Sequence, residues 1–398
     1  MTAPLKNSCG SLHSAYGPHH NVRADYAHLP LQIFWTWVTG KGMPLSVSEL
    51  KRAMRPLPGG WVLLHLIGSW TAIVLALWTG YCSIQSDDGL PMKVAATLIC
   101  WLVIVNRGRS LQATFHFMSH GSAMPHKIFA PWAARVAFTA PFLYLDWGDY
   151  VATHVNEHHH VRVLCTELDP DQRFIRANGF HPGMSEGSFW LRVWFRPFAP
   201  DYILARFCDA LSASMVKATH VHRNYCLCFW GLVIGVCANS GLLLAFIWLY
   251  ALPAFVLLNH SLWLQLLTEH LWFASSDAIQ NQANRYGRLT WGRFQGRSPP
   301  CAGLLRWIGW WARLFMCDIP VRLYVYPQDL PNHDFHHRMP LAPYHRIANI
   351  RATHEYQAGR FGPMMEVWGF MASLRVIRNH LCRGDQQPFR YFSSHSNN

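Results

Sequence analysis

Apolar runs, not amphipathic ones, set the pattern of this chain. The first, WVLLHLIGSWTAIVLALWTGYC from Trp61 to Cys82, carries no Asp, Glu, Lys or Arg and is long enough to cross a hydrocarbon core at about 1.5 Å per residue. A short acidic turn with Asp87 and Asp88 follows, then MKVAATLICWLVIV from Met92 to Val105. Arg107 and Arg109 can snorkel there, so the helix is expected to continue through SLQATFHFMSH (110–120). The run IFAPWAARVAFTAPFLYLDWG (128–148) is interrupted by Pro131, Arg135 and Pro141 and reads as an interfacial or re-entrant helix. Residues 149–225 are polar. From Cys226 to Phe273 comes the longest apolar stretch, about two spans long, with its most natural break around Tyr250 and Pro253. The segment LLRWIGWWARLF (304–315) is amphipathic and suited to a membrane surface.

These runs predict an all-α, polytopic membrane protein of about four transmembrane helices, near 61–82, 92–112, 226–248 and 251–271, in two hairpins under a cytosolic helical cap. Residues 1–58 are expected to form an N-terminal cytosolic segment and 379–398 a C-terminal tail. The basic residues Lys41, Lys51, Arg52, Arg55, Arg107, Arg109 and Lys127, with the Arg-rich C-terminal third, all fall on one side. That side should be cytoplasmic and should hold both termini.

Composition sharpens this picture. The chain has 398 residues, 51% of them apolar, with 19 tryptophans and 23 phenylalanines. Its mean hydropathy of +0.06 requires a large aqueous part beside the spans. The 34 Lys+Arg against 21 Asp+Glu are explained by the lipid bilayer as partner without invoking nucleic acid. The 11 cysteines include no Cys-x-x-Cys pair and are expected to be reduced, buried thiols. The N-terminus MTAPLKNSCGSLHSAYGPHH lacks the apolar core of a signal peptide and reads as a disordered tail.

Histidine is the candidate chemistry. His116 and His120 stand four apart on the extension of the second span, a spacing that puts both on one helix face. His154, His158, His159 and His160 lie in the loop between the two pairs of spans, His270 ends the fourth span in TEHLW, and His333, His336 and His337 form NHDFHH. On the expected topology all converge on one aqueous face. His13, His19, His20, His28 and His395 read as solvated tail residues. His220 and His222, two apart, would point different ways. His65 and His260 lie within spans, where a hydrogen-bonded interhelical role is as natural as a functional one. Eight or nine imidazoles with almost no thiolate exceed what one zinc needs and suffice for two octahedral ions with open positions. Iron fits that donor set, although spacing alone does not choose the metal.

The strings HFMSHGS (116–122), HVNEHHHVRVLCTELDPD (154–171) and NHDFHHRMPLAPYHRIANIRATHEY (332–356) resemble, in order, the three histidine boxes of the integral-membrane fatty acid desaturase and hydroxylase family. HHHVRV is also similar to the related membrane alkane hydroxylases. The resemblance implies two non-haem iron ions held by His116, His120, His154, His158, His159, His270, His333, His336 and His337, with His160 an alternative to His158. Leu266 stands where animal acyl desaturases place an Asn, with Gln265 beside it. Glu157, Asp169, Glu269 and Asp334 are expected to fix imidazole tautomers through the distal N–H. FHPGM (180–184) resembles a cytochrome b5 haem motif only in part, with Met184 for its second glycine and too few residues around it for that domain. The expected activity is O2-dependent desaturation of a fatty acyl or related aliphatic chain, with electrons from a separate ferredoxin, rubredoxin or cytochrome b5. Hydroxylation and alkene-forming decarboxylation are the alternatives within the fold. A metal-binding membrane protein or transporter without oxidative chemistry is the alternative of another class.

Overall fold

The computed structural model describes residues 22–124, 126–274, 282–355, 357 and 359–385, and the histidines of the terminal tails, His13, His19, His20 and His395, lie outside them. The described residues are largely helical. Two short strands, Gly292–Phe294 (β1) and Glu366–Trp368 (β2), pair in parallel.

Among the described residues, four helices are long and apolar enough to cross a membrane: Gly59–Gln85, Leu90–Ser119, His220–Asn239 and Leu243–Leu267. Helix 59–85 leaves Trp61, Leu64, Ile67, Val74, Leu75 and Trp78 exposed, and helix 220–239 does the same with Leu227, Leu232, Ile234 and Val236. Water does not tolerate that much contiguous apolar surface; lipid does. Helix 59–85 packs against helix 90–119. Gly80 makes that approach close, because a Cβ there would lie 3.3 Å from Cys100 and from Leu249 of the fourth helix.

The third and fourth helices differ from expectation. The break between them falls at Ser240–Leu242, where Gly241 takes φ +66°, a left-handed conformation that ends a helix cheaply only at glycine. Pro253 does not break the chain. The fourth helix absorbs it with two wide π-helical turns, Ile247–Ala251 and Pro253–Leu257, which relieve the ring's clash with the preceding turn. The second helix does continue to Ser119, and so carries His116 on its last turn.

The expected surface segment is a helix, Leu304–Arg313, extended by a π-turn. Trp310 and Leu314 are buried, while Leu304, Leu305, Ile308, Phe315 and Met316 are exposed. Trp310 packs on Tyr26 and Trp35 at 5.9 and 5.7 Å, so residues 22–39 are part of the folded body. Cys100, Cys165 and Cys226 are buried thiols as expected, but Cys82, Cys208, Cys228, Cys301 and Cys317 are exposed. Cys82 and Cys228 reach that exposure on the apolar faces of long helices. Phe180 and Met184 of FHPGM are core residues.

A buried charge network ties the N-terminal segment to the third histidine string. Arg351 meets Asp334 at 2.8 Å and Glu366 at 2.7 Å, and Lys41 meets Glu355 and Glu366 at 2.8 Å each. Burial pushes the Glu366 carboxyl up, but Arg351 and Lys41 outweigh it and hold it down at about 2. Asp334 and Arg351 are wholly buried, and a buried ion that loses its partner is destabilising by about 3–5 kcal/mol. Arg351→Met should therefore lower the thermal midpoint of the detergent-solubilised protein by several degrees. Lys41→Met should lower it less, because Glu366 keeps Arg351. Equal midpoints for Arg351→Met and wild type would show that the network contributes nothing.

Candidate metal centre

Each histidine string is delivered by a different local device. His116 sits on the last turn of helix 90–119 and His120 is its cap, with ring centroids 5.1 Å apart. Residues Val151–His158 wind as a π-helix. His154 and His158 are therefore stacked along one side, 5.2 Å apart and 22° from parallel. The helix His333–Arg338 places His333, His336 and His337 at i, i+3 and i+4, which is a single face. His270 follows the end of the fourth helix and is fixed by an antiparallel bridge to Thr290.

These devices bring the rings together. His116, His120, His154 and His159 form one group and His158, His270, His333 and His337 another, the ligand atoms within each lying no more than 4.8 Å apart. His336 adjoins the first group through Nε2, 2.7 Å from Nε2 of His116. In the second group, Nε2 of His270 lies 3.1 Å from that of His158 and 3.3 Å from that of His333, and His333 lies 2.9 Å from His337. The groups touch through His159 and His337, stacked at 4.0 Å and 4°. His160 is exposed and belongs to neither group.

The electrostatics suit a shared cation. Two neutral imidazole nitrogens facing each other across about 3 Å repel unless one donates a proton or an ion stands between them. Metal–nitrogen bonds of about 2.1 Å at a right angle put neighbouring ligands about 3 Å apart, which matches the observed separations. The Nε2 atoms of His120, His154 and His159 are buried without a hydrogen-bond partner among the described residues, a costly state for a polar atom. Burial first, and neighbouring imidazoles second, hold His154, His159, His270, His333, His336 and His337 far below the ordinary histidine range. Burial and His158 take His120 down to about 4. Unprotonated imidazole is the form that ligates a metal.

His158 is the exception. Burial pushes it down, but the Asp169 and Asp171 carboxylates outweigh that and raise it to about 9. Its Nδ1 lies 3.1 Å from Asp169 and 3.4 Å from Asp171, which leaves Nε2 for the cluster. Of the four expected carboxylates, Asp169 thus stands behind an imidazole. Glu269 is 3.9 Å from His333 Nε2 and also faces Arg293 and Gln265. The other two correct the expectation. Glu157 is exposed, turned outward between His154 and His158. The Asp334 carboxylate is taken by Arg351, because one residue beyond His333 points about 100° away around the helix.

Two orienting groups are absent from the sequence reading. The Tyr150 hydroxyl lies 3.1 Å from Nδ1 of His116, and that of Tyr286 lies 2.8 Å from Nδ1 of His337. Tyrosines carry no box signature, though Tyr150 stands four residues before His154. Asp171 closes the second string itself, two residues beyond Asp169. Among the remaining histidines, His260 Nδ1 meets the Tyr324 hydroxyl at 2.9 Å and His65 Nε2 lies near Ser110 and Gln328, so both are hydrogen-bonded within the helical body. His222 is buried beside Cys226 and Asp146, away from the cluster.

No protein-family profile matches this chain, and no curated protein matches it significantly. Four apolar helices and convergent histidine groups nevertheless fit a membrane histidine-box di-iron protein.

Removing the carboxylate behind a metal-bound imidazole typically weakens metal affinity by about 10–100-fold. Asp169→Asn should do so in a competitive chelator titration, and Glu157→Gln should leave the affinity unchanged. His336→Ala should lower bound metal measured by mass spectrometry; full occupancy in that variant would remove His336 from the site.

Proposed function

We propose that this chain is an O2-dependent membrane oxidase, with two non-haem irons held by the nine imidazoles, that introduces a double bond into a fatty acyl or related aliphatic chain. The convergence of nine imidazoles from three distant strings and His270, with no thiolate among them, carries the reading. We read the four long helices as two hairpins that place the histidines and both termini on the cytoplasmic side, in keeping with the distribution of Lys and Arg. A transporter would hold its ligands at mid-bilayer on broken helices; these ligands stand at or beyond the ends of the spans, which favours the oxidase.

When bound, the two irons supply the reductive activation of oxygen and abstraction of hydrogen from an unactivated C–H bond. The chain's own residues position and shield. His116, His154 and His333 border a cavity of about 360 Å³, walled on its apolar side by Leu145, Leu262, Trp263 and Leu330, which keeps water from the reacting carbon. Tyr150, Tyr286 and Asp169 set which imidazole nitrogen faces inward. Gln265 and Leu266 line the same cavity, so at Leu266 the chain offers no side-chain oxygen or nitrogen. Electrons come from a separate ferredoxin, rubredoxin or cytochrome b5, and a net charge of +13 would speed the encounter with an acidic donor.

The purified protein should hold about two irons per chain and consume oxygen with a reduced donor and an aliphatic substrate. Lipid and product analysis of a heterologous host with and without the gene should show a new double bond. An added hydroxyl instead would move the reading to hydroxylation. Bound zinc with no oxygen consumption would reject the oxidase.

A further inference from the structure

The cavity of about 360 Å³ borders the imidazoles at His116, His154 and His333, and His159 and His337 lie outside its lining. His337 is instead the inner end of a row of rings that reaches the surface. Its ring lies 5.5 Å from that of Tyr286, and the Tyr286 ring lies 5.6 Å from that of Phe361. Phe361 is half-buried, and the Arg360 guanidinium covers its face at 4.5 Å. With Nε2 of His337 turned to the other imidazoles, Nδ1 carries the proton and donates it to the Tyr286 hydroxyl at 2.8 Å. That hydroxyl donates in turn to the His159 carbonyl at 3.1 Å. The outer step is held as firmly. Arg338 donates to the carbonyls of Gly287, Gly362 and Pro363 at 3.0, 2.6 and 2.9 Å, which clamps the turn after Phe361 onto the Tyr286 helix, Gln282–Arg288.

The surface around this row is basic. Arg162 donates to Gln282 at the start of the Tyr286 helix at 3.1 Å, and Arg288 ends that helix, which is only about 10 Å long. Arg162, Arg288 and Arg360 are all exposed, and none of them makes an ion pair with a described residue. Of the exposed acids of the second string, Glu167 is paired with Arg176, which leaves Glu157. A cluster of guanidiniums with so little countercharge attracts an acidic protein surface. Here it surrounds the outer end of a path that stops at a clustered imidazole.

We propose, resting on the oxidase reading, that the face of Arg162, Arg288 and Arg360 docks a small acidic one-electron carrier protein, and that Phe361, Tyr286 and His337 conduct its electron to the centre. Tunnelling falls exponentially with distance, and two ring-to-ring steps of 5.6 and 5.5 Å cover the way from the surface to the ligand. Neither ring is consumed. Each docking oxidises the carrier by one electron and reduces one ferric ion to ferrous. Two such electrons and two protons from water, with the two hydrogens taken from the aliphatic chain, account for the reduction of one O2 to two waters. Entry at this face leaves the cavity open, so carrier and substrate are bound together without competing.

The test uses the full-length, iron-loaded protein in nanodiscs of zwitterionic lipid, with an acidic plant-type ferredoxin, a rubredoxin and soluble cytochrome b5 as probes. Affinity is read by surface plasmon resonance. Electron transfer is read by anaerobic stopped flow, as oxidation of the reduced carrier by the ferric protein. For the tightest-binding carrier, Arg288→Glu with Arg360→Glu should weaken binding by about tenfold, because each reversal removes an exposed attraction and adds a repulsion of similar size. High salt should shrink that difference. Lys217→Glu with Arg306→Glu, an equal change in charge at exposed positions on other elements, should leave the affinity near that of the wild type. Phe361→Leu should keep the affinity and slow the anaerobic transfer severalfold, while dithionite reduces its irons as fast as those of the wild type. Binding by none of the three carriers, or wild-type affinity after reversal of Arg288 and Arg360, would overturn the docking site; wild-type transfer in Phe361→Leu would overturn the route. Such a failure with two irons bound and a new double bond in the host's lipids would leave the oxidase reading standing. Zinc in place of iron would overturn both.

Discussion

Nine imidazoles facing one another in a desolvated space repel unless a shared proton or a cation stands between them, and in the proposed oxidase the fold is organised around two such cations. Neighbouring Nε2 atoms stand 2.7–3.3 Å apart, a distance that leaves two lone pairs opposed unless one ring donates its N–H or a cation sits between them. Burial makes protonation an expensive way to supply that charge at most of these positions. A divalent ion does so without desolvating a proton on each ring. The same burial that makes the empty arrangement unfavourable makes the filled one strong.

What the rest of the chain contributes is rigidity at the right points. Helix 90–119 carries its first pair of histidines beyond the apolar run without a break. A π-helical turn spreads the second string so that His154 and His159 serve one group and His158 the other. The third string lies on a short helix anchored from behind by Asp334 and Arg351, and through Glu366 to Lys41. Asp334 is therefore a structural partner of the site: it holds the helix, and the imidazoles turn the other way.

Much of this was legible in the sequence, and the reasons are physical. Apolar runs without charge announce spans because lipid admits little else, and histidine density within a few residues announces the strings whose rings converge. The break at Gly241 was harder to see, because Pro253 is the louder signal. A proline interrupts a helix only where the turn cannot widen, and here it does. Adjacency in sequence misleads on a helix: Glu157 and Asp334 are neighbours of clustered histidines and face away from them. Tyr150 and Tyr286 act across the fold, through contacts that no local pattern records.

Iron-edge anomalous X-ray scattering from crystals of the iron-loaded protein decides whether the imidazoles meet around metal. The arrangement described here requires two peaks, one enclosed by His116, His120, His154, His159 and His336 and the other by His158, His270, His333 and His337. A single peak, or iron found away from these rings, would contradict it.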